Sequence, residues 1–227
     1  MFDREGFIHF LIDNGVVGFF EKPVTLKSGR QSNWYVNWRT ISNDAFMLDR
    51  LSDFLIEFAS ERGLSPDSFY GVPEGATKLG IITTFKWAKG QAGFGPGSHR
   101  VPMGRGKPKE HGAAQDKFFV GEPRGSIVVV EDVTTTGGSL LASLDQLSQI
   151  DAKVVAAVGL TNRMEKRDDG MSVEEAVAQR GVPYYALSDA TEFLPKAFSA
   201  LKPGEPIGRA IEEEFERYGV RRFKLMT

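Results

Sequence analysis

Cysteine is absent from the 227-residue sequence, which excludes a disulfide framework, a thiolate zinc site and a cysteine nucleophile. Neither sign of charge is in excess, since 28 lysines and arginines face 30 aspartates and glutamates, a formal net charge of -2. Such a chain has no global attraction for nucleic acid or an anionic membrane. No apolar run approaches the ~20 residues that span a bilayer, and the first residues lack the basic stretch of a secretory signal. We therefore expect a soluble cytoplasmic protein that binds neither nucleic acid nor membrane.

The spacing of hydrophobic residues predicts the fold class. Helical spacing recurs at 3–14 and 46–62, whereas 16–39 holds two β-type stretches around Lys27-Ser28-Gly29-Arg30, which predicts an antiparallel hairpin. Short β-branched runs then alternate with helical stretches, and runs such as Ile127–Val130 are typical of strands buried on both faces of a parallel sheet. Strands are predicted at 68–72, 127–130, 154–160 and 182–187, and helices at 77–89, 138–150, 172–181 and 205–218. The prediction is an α/β protein with a central, mainly parallel sheet flanked by helices.

The chain carries no linker long enough to separate two domains. We expect one domain over 1–227. Within it, approximately 1–42 form a small N-terminal hood, 43–200 the α/β core and 201–227 a C-terminal helical tail.

The strongest local pattern is a buried strand followed by two carboxylates and a polar turn. Glu131 and Asp132 end the strand, and Val133-Thr134-Thr135-Thr136-Gly137-Gly138-Ser139 follow. Free backbone N–H groups at 134–139 and the positive end of the next helix would form a cradle for a phosphate. Paired carboxylates suit sugar hydroxyls or Mg²⁺. The pattern predicts a sugar phosphate site, and it matches neither the P-loop nor the dinucleotide fingerprint.

This segment resembles the phosphoribosyl diphosphate motif of the type I phosphoribosyltransferases, in which two acidic residues, a variable pair, threonine and glycine follow a hydrophobic strand. The resemblance implies that Glu131 and Asp132 hold the ribose and that 134–139 hold the 5′-phosphate. The substrate-binding residues so implied are Glu131, Asp132, Val133, Thr134, Thr135, Thr136, Gly137, Gly138 and Ser139. The motif does not choose the base.

Two further segments resemble the orotate phosphoribosyltransferase family. The first is Thr25-Leu26-Lys27-Ser28-Gly29-Arg30-Gln31-Ser32, in which Lys27 offers a charge to a phosphate oxygen, while Tyr35 and Val36 after it could wall a flat heterocycle. The second, Arg105-Gly106-Lys107-Pro108-Lys109-Glu110-His111-Gly112, is similar to the family's mobile catalytic loop. A cationic loop bounded by glycines can close over a polyanion such as pyrophosphate.

A third match lies after the predicted strand at 154–160. Asn162-Arg163 is similar to the family's Asp-Arg pair, whose arginine holds the carboxylate of orotate, and a guanidinium fork suits that planar group. The chain also departs from the family's pattern. Gly106 stands where one subgroup carries lysine, so Lys107 is expected to supply that charge, and Gly75 stands where some relatives carry a lysine that contacts pyrophosphate.

The resemblance, which covers roughly 20–190, implies a reaction. Ribose 5-phosphate passes from 5-phospho-α-D-ribose 1-diphosphate to orotate, which gives orotidine 5′-monophosphate and diphosphate in pyrimidine (UMP) biosynthesis. Thr135 and Arg163 would fix orotate, and Arg105, Lys107, Lys109 and His111 would stabilise the diphosphate. The catalytic side chains so implied are Arg105, Lys109, His111 and Asp132. The resemblance further implies Mg²⁺ bound mainly through the diphosphate rather than at a protein metal site, and a homodimer with shared active sites.

Two alternatives on the same fold stay open. A transcription regulator that senses phosphoribosyl diphosphate would need a DNA-binding element, and the segment 1–20 is too short and too weakly charged for one. A purine phosphoribosyltransferase would act on bases that lack the carboxylate for Arg163.

Overall fold

The computed structural model describes residues 1–226. The helices are α1 (Arg4–Asp13), α2 (Ala45–Glu61), α3 (Thr77–Lys89), α4 (Ala114–Phe118), α5 (Gly138–Leu147), α6 (Val173–Ala178), α7 (Ala190–Leu201) and α8 (Glu205–Tyr218). The strands are β1 (Val17–Thr25), β2 (Gln31–Val36), β3 (Ser68–Gly71), β4 (Met103–Gly104), β5 (Phe119–Val120), β6 (Gly125–Thr134), β7 (Ala152–Asn162) and β8 (Tyr184–Asp189).

A four-stranded sheet in the order β3-β6-β7-β8 forms the centre of the protein, and all its neighbouring strands are parallel. Ile127, Val128, Val129 and Val130 of β6 are all fully buried. Val128 and Val130 pack into the cluster that α1, α2 and α7 cover, whereas Ile127 and Val129 pack with α5 and α6 on the opposite face. The uninterrupted apolar run of β6 therefore serves both faces of a parallel sheet, which confirms the predicted fold class.

An antiparallel hairpin of β1 and β2 covers one end of the core. Val17 pairs with Val36 and Thr25 with Gln31, as the spacing around 27–30 predicts. Helix α8 packs against both strands. The ring of Trp34 lies 5.9 Å from that of Phe193 and 6.5 Å from that of Phe215. The first and last parts of the chain thus pack together. The division of the domain into a hood, a core and a tail at residues 42 and 200 stays a prediction.

Helix α7 is not predicted from the sequence. Pro195 lies inside it, and because proline lacks the N–H that donates in a helix, the segment 190–201 has a low helix propensity. Its buried side chains Phe193, Leu194 and Ala197 pack into the main core. Tertiary packing therefore decides this helix against its local propensity.

The direction of the strands positions the candidate site. Because β3, β6 and β7 run parallel, the segments after Gly71, Thr134 and Asn162 meet at one edge of the sheet. The short strands β4 and β5 pair at Met103 with Val120 and at Gly104 with Phe119, and they enclose the glycine-bounded loop at its base. No helix within 1–226 is long and apolar enough to cross a membrane.

Candidate active site

The turn between β6 and α5 has the geometry of an anion cradle. Within residues 1–226, the backbone N–H groups of Thr135, Thr136 and Gly137 have no protein acceptor, and the first N–H groups of a helix such as α5 lack intrahelical partners. Gly137 has φ 70°, and a Cβ there would lie 3.0 Å from Val173 Cγ1. Glycine is therefore required at the point where the cradle bends.

Three contacts hold this turn in place. The Lys27 ammonium donates to Ser139 Oγ at 2.8 Å, a bond between residues 112 positions apart that ties the hairpin to the turn. Arg167 Nη1 donates to the carbonyl of Thr136 at 2.6 Å. The Thr134 and Tyr184 hydroxyls lie 2.6 Å apart, buried beneath the turn. The cradle is thus braced from the hairpin, from the segment after β7 and from below.

Two adjoining cavities open at this edge of the sheet. One, of about 400 Å³, is lined by the whole turn Thr135–Ser139 together with Lys27 and Glu131. The other, of about 150 Å³, is lined by Lys27, Tyr35, Val36, Glu131, Asp132 and Arg163 among others. Because Lys27, Glu131, Val133, Thr135 and Ser139 line both, the cavities are two halves of one cleft. The structure therefore brings the predicted hairpin, turn and Arg163 residues together.

The two carboxylates at the end of β6 line this cleft, Glu131 in both halves and Asp132 in the smaller one. Glu131 is 5% exposed, and burial, followed by the negative charge of neighbouring Asp132, raises the pKa of Glu131 well above 4.5. Asp132 Oδ1 accepts from the backbone N–H of Val133 at 2.9 Å. A Cβ at Gly75 would overlap the Asp132 carboxylate, so the glycine at this departure from the family's pattern leaves room for that side chain.

Arg163 follows β7 and contributes to the smaller cavity although only 1% of the residue is exposed. Its Nε donates to Glu165 Oε1 at 2.7 Å and its Nη2 to Ser32 Oγ at 2.9 Å. Tyr35, which is 40% exposed, lines the same cavity. The smaller half of the cleft therefore combines an aromatic wall with a guanidinium.

The predicted catalytic loop borders the cleft without lining it, because Gly106 lies against the Glu74 carboxylate, which lines the smaller cavity. The loop is tied to the segment that follows it, since Arg105 N–H donates to the Phe118 carbonyl at 2.8 Å and Lys109 N–H to that of Lys117 at 3.0 Å. Lys107, Lys109 and His111 are exposed, and within 1–226 their side chains make no hydrogen bond or ion pair. Neither cavity is lined by a residue from 105–113 of the same chain.

Several site residues were missed by the sequence analysis. Asn37, Arg39 and Glu74 line the smaller cavity, while Glu165 and Ser32 hold Arg163. Thr134, which was predicted as part of the cradle, turns its hydroxyl towards Tyr184 and lines neither cavity. Only the position of Glu165, two residues after the predicted Arg163, offered a signal.

A metal ion would have to bring most of its own ligands. Among the described residues no group of three or more histidine, aspartate or glutamate side chains is arranged to hold one. The carboxylates that line the smaller cavity are Glu74, Glu131 and Asp132, and such oxygens suit a hard cation that arrives with a phosphate-bearing ligand.

The raised pKa of Glu131 predicts an unusual effect on stability. The folded protein holds the Glu131 proton more tightly than the unfolded chain, so stability falls as pH rises above 4.5 through the folded-state pKa. Glutamine imitates the protonated form. The ligand-free Glu131→Gln variant should therefore unfold at a higher temperature than the wild type at pH 8, and this difference should shrink towards pH 5.

Asp145→Asn is the matched control for thermal unfolding over this pH range. The hydrogen bond from Arg180 lowers the pKa of Asp145, so removing that charge should not stabilise the protein at pH 8. A Glu131→Gln variant less stable than the wild type at pH 8 would contradict the assignment.

Comparison with known proteins gives the family of the chain. An orotate phosphoribosyltransferase of Bradyrhizobium sp. (strain BTAi1) is 36% identical over 186 residues, 78% of this chain and 90% of the relative. That of Methanopyrus kandleri is 32% identical over 183 residues, 79% of this chain and 86% of the relative. No protein-family model matches the chain.

The fold agrees with these relatives. The crystal structure of the orotate phosphoribosyltransferase of Francisella tularensis superposes with a TM-score of 0.65 at 22% identity, over 94% of this chain and 99% of that chain. A similarity at this level of identity concerns the fold, whereas the curated relatives settle the family. At 36% and 32% identity over 78% and 79% of its length, the chain belongs to the orotate phosphoribosyltransferase family.

Proposed function

We propose that the protein transfers ribose 5-phosphate from 5-phospho-α-D-ribose 1-diphosphate to N1 of orotate, which yields orotidine 5′-monophosphate and diphosphate for pyrimidine biosynthesis. The observation that carries this proposal is the divided cleft. Its larger half is a phosphate cradle, its smaller half holds Tyr35 and Arg163, and Glu131 borders both. In the product, the ribose lies between the phosphate and the acidic base. In the cleft, Glu131 likewise lies between the larger half and the smaller half.

The larger half would bind the 5′-phosphate. The unpartnered N–H groups at Thr135–Gly137, the start of α5 and the Lys27 ammonium all favour an anion there. Glu131 and Asp132 would accept hydrogen bonds from the ribose hydroxyls. Such bonds would favour the charged form of Glu131, which burial and neighbouring Asp132 oppose in the free protein, so binding of the sugar offsets part of the cost of ionising it.

The smaller half would bind the base. Orotate differs from uracil in its carboxylate, and Arg163 is the buried cation of this cavity. Tyr35 and Val36 would lie against the flat ring, and Thr135 would offer it a hydroxyl. Selection for the acid thus rests on the pairing of a guanidinium with a carboxylate in a site with little water.

The reaction forms a bond from N1 of orotate to C1 of the ribose and breaks the bond from C1 to the diphosphate oxygen, which takes the electron pair. The N1 proton of orotate leaves as that bond forms and is taken up by the departing diphosphate. Catalysis then consists of positioning and of stabilising the charge that builds on the diphosphate. Arg105, Lys107, Lys109 and His111 are the groups proposed for that task, with His111 able to transfer a proton to the diphosphate.

Mg²⁺, bound mainly through the diphosphate, would supply further positive charge to the leaving group. Asp132 and Glu131 are the residues that could contact the ion, since their carboxylates line the cleft. The lack of a cluster of three ligands within the described residues supports binding through the substrate rather than in a protein cage.

The position of the cationic loop supports a homodimer with shared sites. The loop residues do not line the cleft of their own chain, so we infer that a second copy supplies its loop to this cleft. We place the enzyme in the cytoplasm, a proposal that the cysteine-free composition supports.

Orotate turnover tests the function directly. When the protein is mixed with orotate, phosphoribosyl diphosphate and Mg²⁺, the ultraviolet absorbance of orotate should fall. Uracil, adenine and hypoxanthine should remain unchanged under the same conditions. Omitting any one component should stop the reaction. Turnover of a purine base would favour the purine enzyme, and ligand-dependent thermal stabilisation without any turnover would favour the sensing regulator.

Mixing inactive variants tests the shared site. Lys109→Ala in the loop and Asp132→Asn in the cleft should each be nearly inactive alone. Co-refolding or subunit exchange should restore about a quarter of wild-type activity, since half of randomly paired dimers are hybrids and each hybrid keeps one intact site of two. Mixing two loop variants, Lys107→Ala and Lys109→Ala, is the matched control without restoration. If the first mixture stays inactive, the loop acts within its own chain.

A further inference from the structure

Most hydrogen bond donors of the Arg163 guanidinium are already used. Nε donates to Glu165 Oε1 at 2.7 Å, Nη2 to Ser32 Oγ at 2.9 Å and Nη1 to the Trp34 carbonyl at 3.4 Å. The guanidinium carbon also lies 3.6 Å from the centre of the Trp34 ring. Three of the five N–H groups of an arginine are thereby engaged, which leaves one on each terminal nitrogen for a ligand.

Glu165 lies between two arginines. Its Oε1 accepts from Arg163, and its Oε2 accepts from Arg30 Nη1 at 3.0 Å. The Glu165 side chain is 8% exposed, and those of Arg163 and Arg30 are 2% and 9% exposed. Arg30 Nη2 continues to Asp168 Oδ1 at 2.7 Å. The result is a row of alternating charges, Asp168-Arg30-Glu165-Arg163, that ends at the cleft.

The backbone of Glu165 is also fixed from the C-terminal side. Glu165 forms an isolated antiparallel bridge with Gly219. The N–H of Lys166 donates to the Tyr218 carbonyl at 2.7 Å, and that of Val220 to the Met164 carbonyl at 2.8 Å. The Glu165 carboxylate therefore has little freedom to move. The same holds for Arg163 Nε, which donates to it.

Ser32 is held in the same manner. Glu214 of α8 accepts from the Asn33 N–H through Oε1 at 2.6 Å, and its Oε2 lies 2.7 Å from the Ser32 hydroxyl. The oxygen of that hydroxyl is the acceptor for Arg163 Nη2. The guanidinium is thus held at two of its nitrogens, at Nε by an ion pair and at Nη2 by a hydroxyl.

We propose that Glu165 is the positioning residue for recognition of the substrate's carboxylate. It sets the rotation of the Arg163 guanidinium so that the two remaining N–H groups face the cleft, and Arg30 holds Glu165 in turn. Glu165 does not touch the substrate. This inference rests on the proposed function, in which Arg163 binds the carboxylate of orotate.

Steady-state kinetics of Glu165→Gln test the proposal. Glutamine keeps the length of the side chain but loses the charge that pairs with both arginines. The KM for orotate should rise about tenfold or more, whereas the KM for phosphoribosyl diphosphate should change less than about threefold, because Glu165 pairs with Arg163 and Arg30 and not with the cradle at 135–139. Glu165→Asp should recover part of the orotate affinity.

A merely structural role would give a different pattern. If Glu165 only neutralises a buried charge, both KM values should rise together, or activity should fall in proportion to the folded fraction. Either pattern, or an unchanged KM for orotate, would overturn the proposal. Asp145→Asn, which breaks a guanidinium–carboxylate pair with Arg180 outside the cleft, is the control and should leave both KM values unchanged.

Removing Glu165 leaves two buried arginines without their shared partner, so Glu165→Gln could fail to fold. Ser32→Ala then decides, because it removes the uncharged acceptor of Arg163 Nη2 while Glu165 keeps both arginines and Glu214 keeps the Asn33 N–H. Its KM for orotate should rise about threefold or more at an unchanged KM for phosphoribosyl diphosphate, and the absence of a rise would overturn the proposal. Failure of the wild type to turn over orotate would refute the proposed function instead.

Discussion

Glu165 accepts hydrogen bonds from two buried arginines that lie in different segments of the chain. Arg30 lies in the turn of the N-terminal hairpin, and Arg163 follows the core strand β7. The segment after α8 fixes the backbone of Glu165 from the third side. A buried ion pair adds little net stability, because desolvation offsets the attraction. The pair instead orients the Arg163 guanidinium at the cleft. The hairpin, the strand β7 and the C-terminal segment all contribute contacts to this orientation.

The two carboxylates at the end of β6 lower the stability of the free protein at the pH at which both are charged. Glu131 is nearly buried beside Asp132, and both burial and the neighbouring charge oppose its ionisation. Nothing in the fold requires two acids at this point, because the apolar part of β6 ends at Val130. The proposed function gives them a role, because ribose hydroxyls and a cation that arrives with the diphosphate both suit carboxylate oxygens, and functional sites are commonly less stable than their surroundings. Binding of the sugar would then offset part of the cost of ionising Glu131.

Much of the fold and part of the site could be predicted because their determinants are contiguous in the sequence. The β6 run, the cradle at 134–139 and the loop at 105–112 each lie within one short segment, and the parallel strands bring the segments after β3, β6 and β7 to one edge. Helix α7 could not be predicted, because Pro195 hides a pattern that only tertiary packing satisfies. The contacts that hold Arg163 were equally hidden, since Ser32 lies 131 positions away in the chain and is itself held by Glu214 of α8, and only Glu165 is close in sequence. Local patterns predicted groups that line the cleft, whereas the groups that hold them depend on the folded chain.

A structure of the protein with orotidine 5′-monophosphate bound tests the central claim most directly. The account predicts the phosphate on the N–H groups of 135–139, the ribose hydroxyls on Glu131 and Asp132, and the base carboxylate on the two free N–H groups of Arg163. Glu165 should keep both of its arginine partners in that complex. A nucleotide whose carboxylate faces solvent, or whose phosphate lies outside the cradle, would contradict the account.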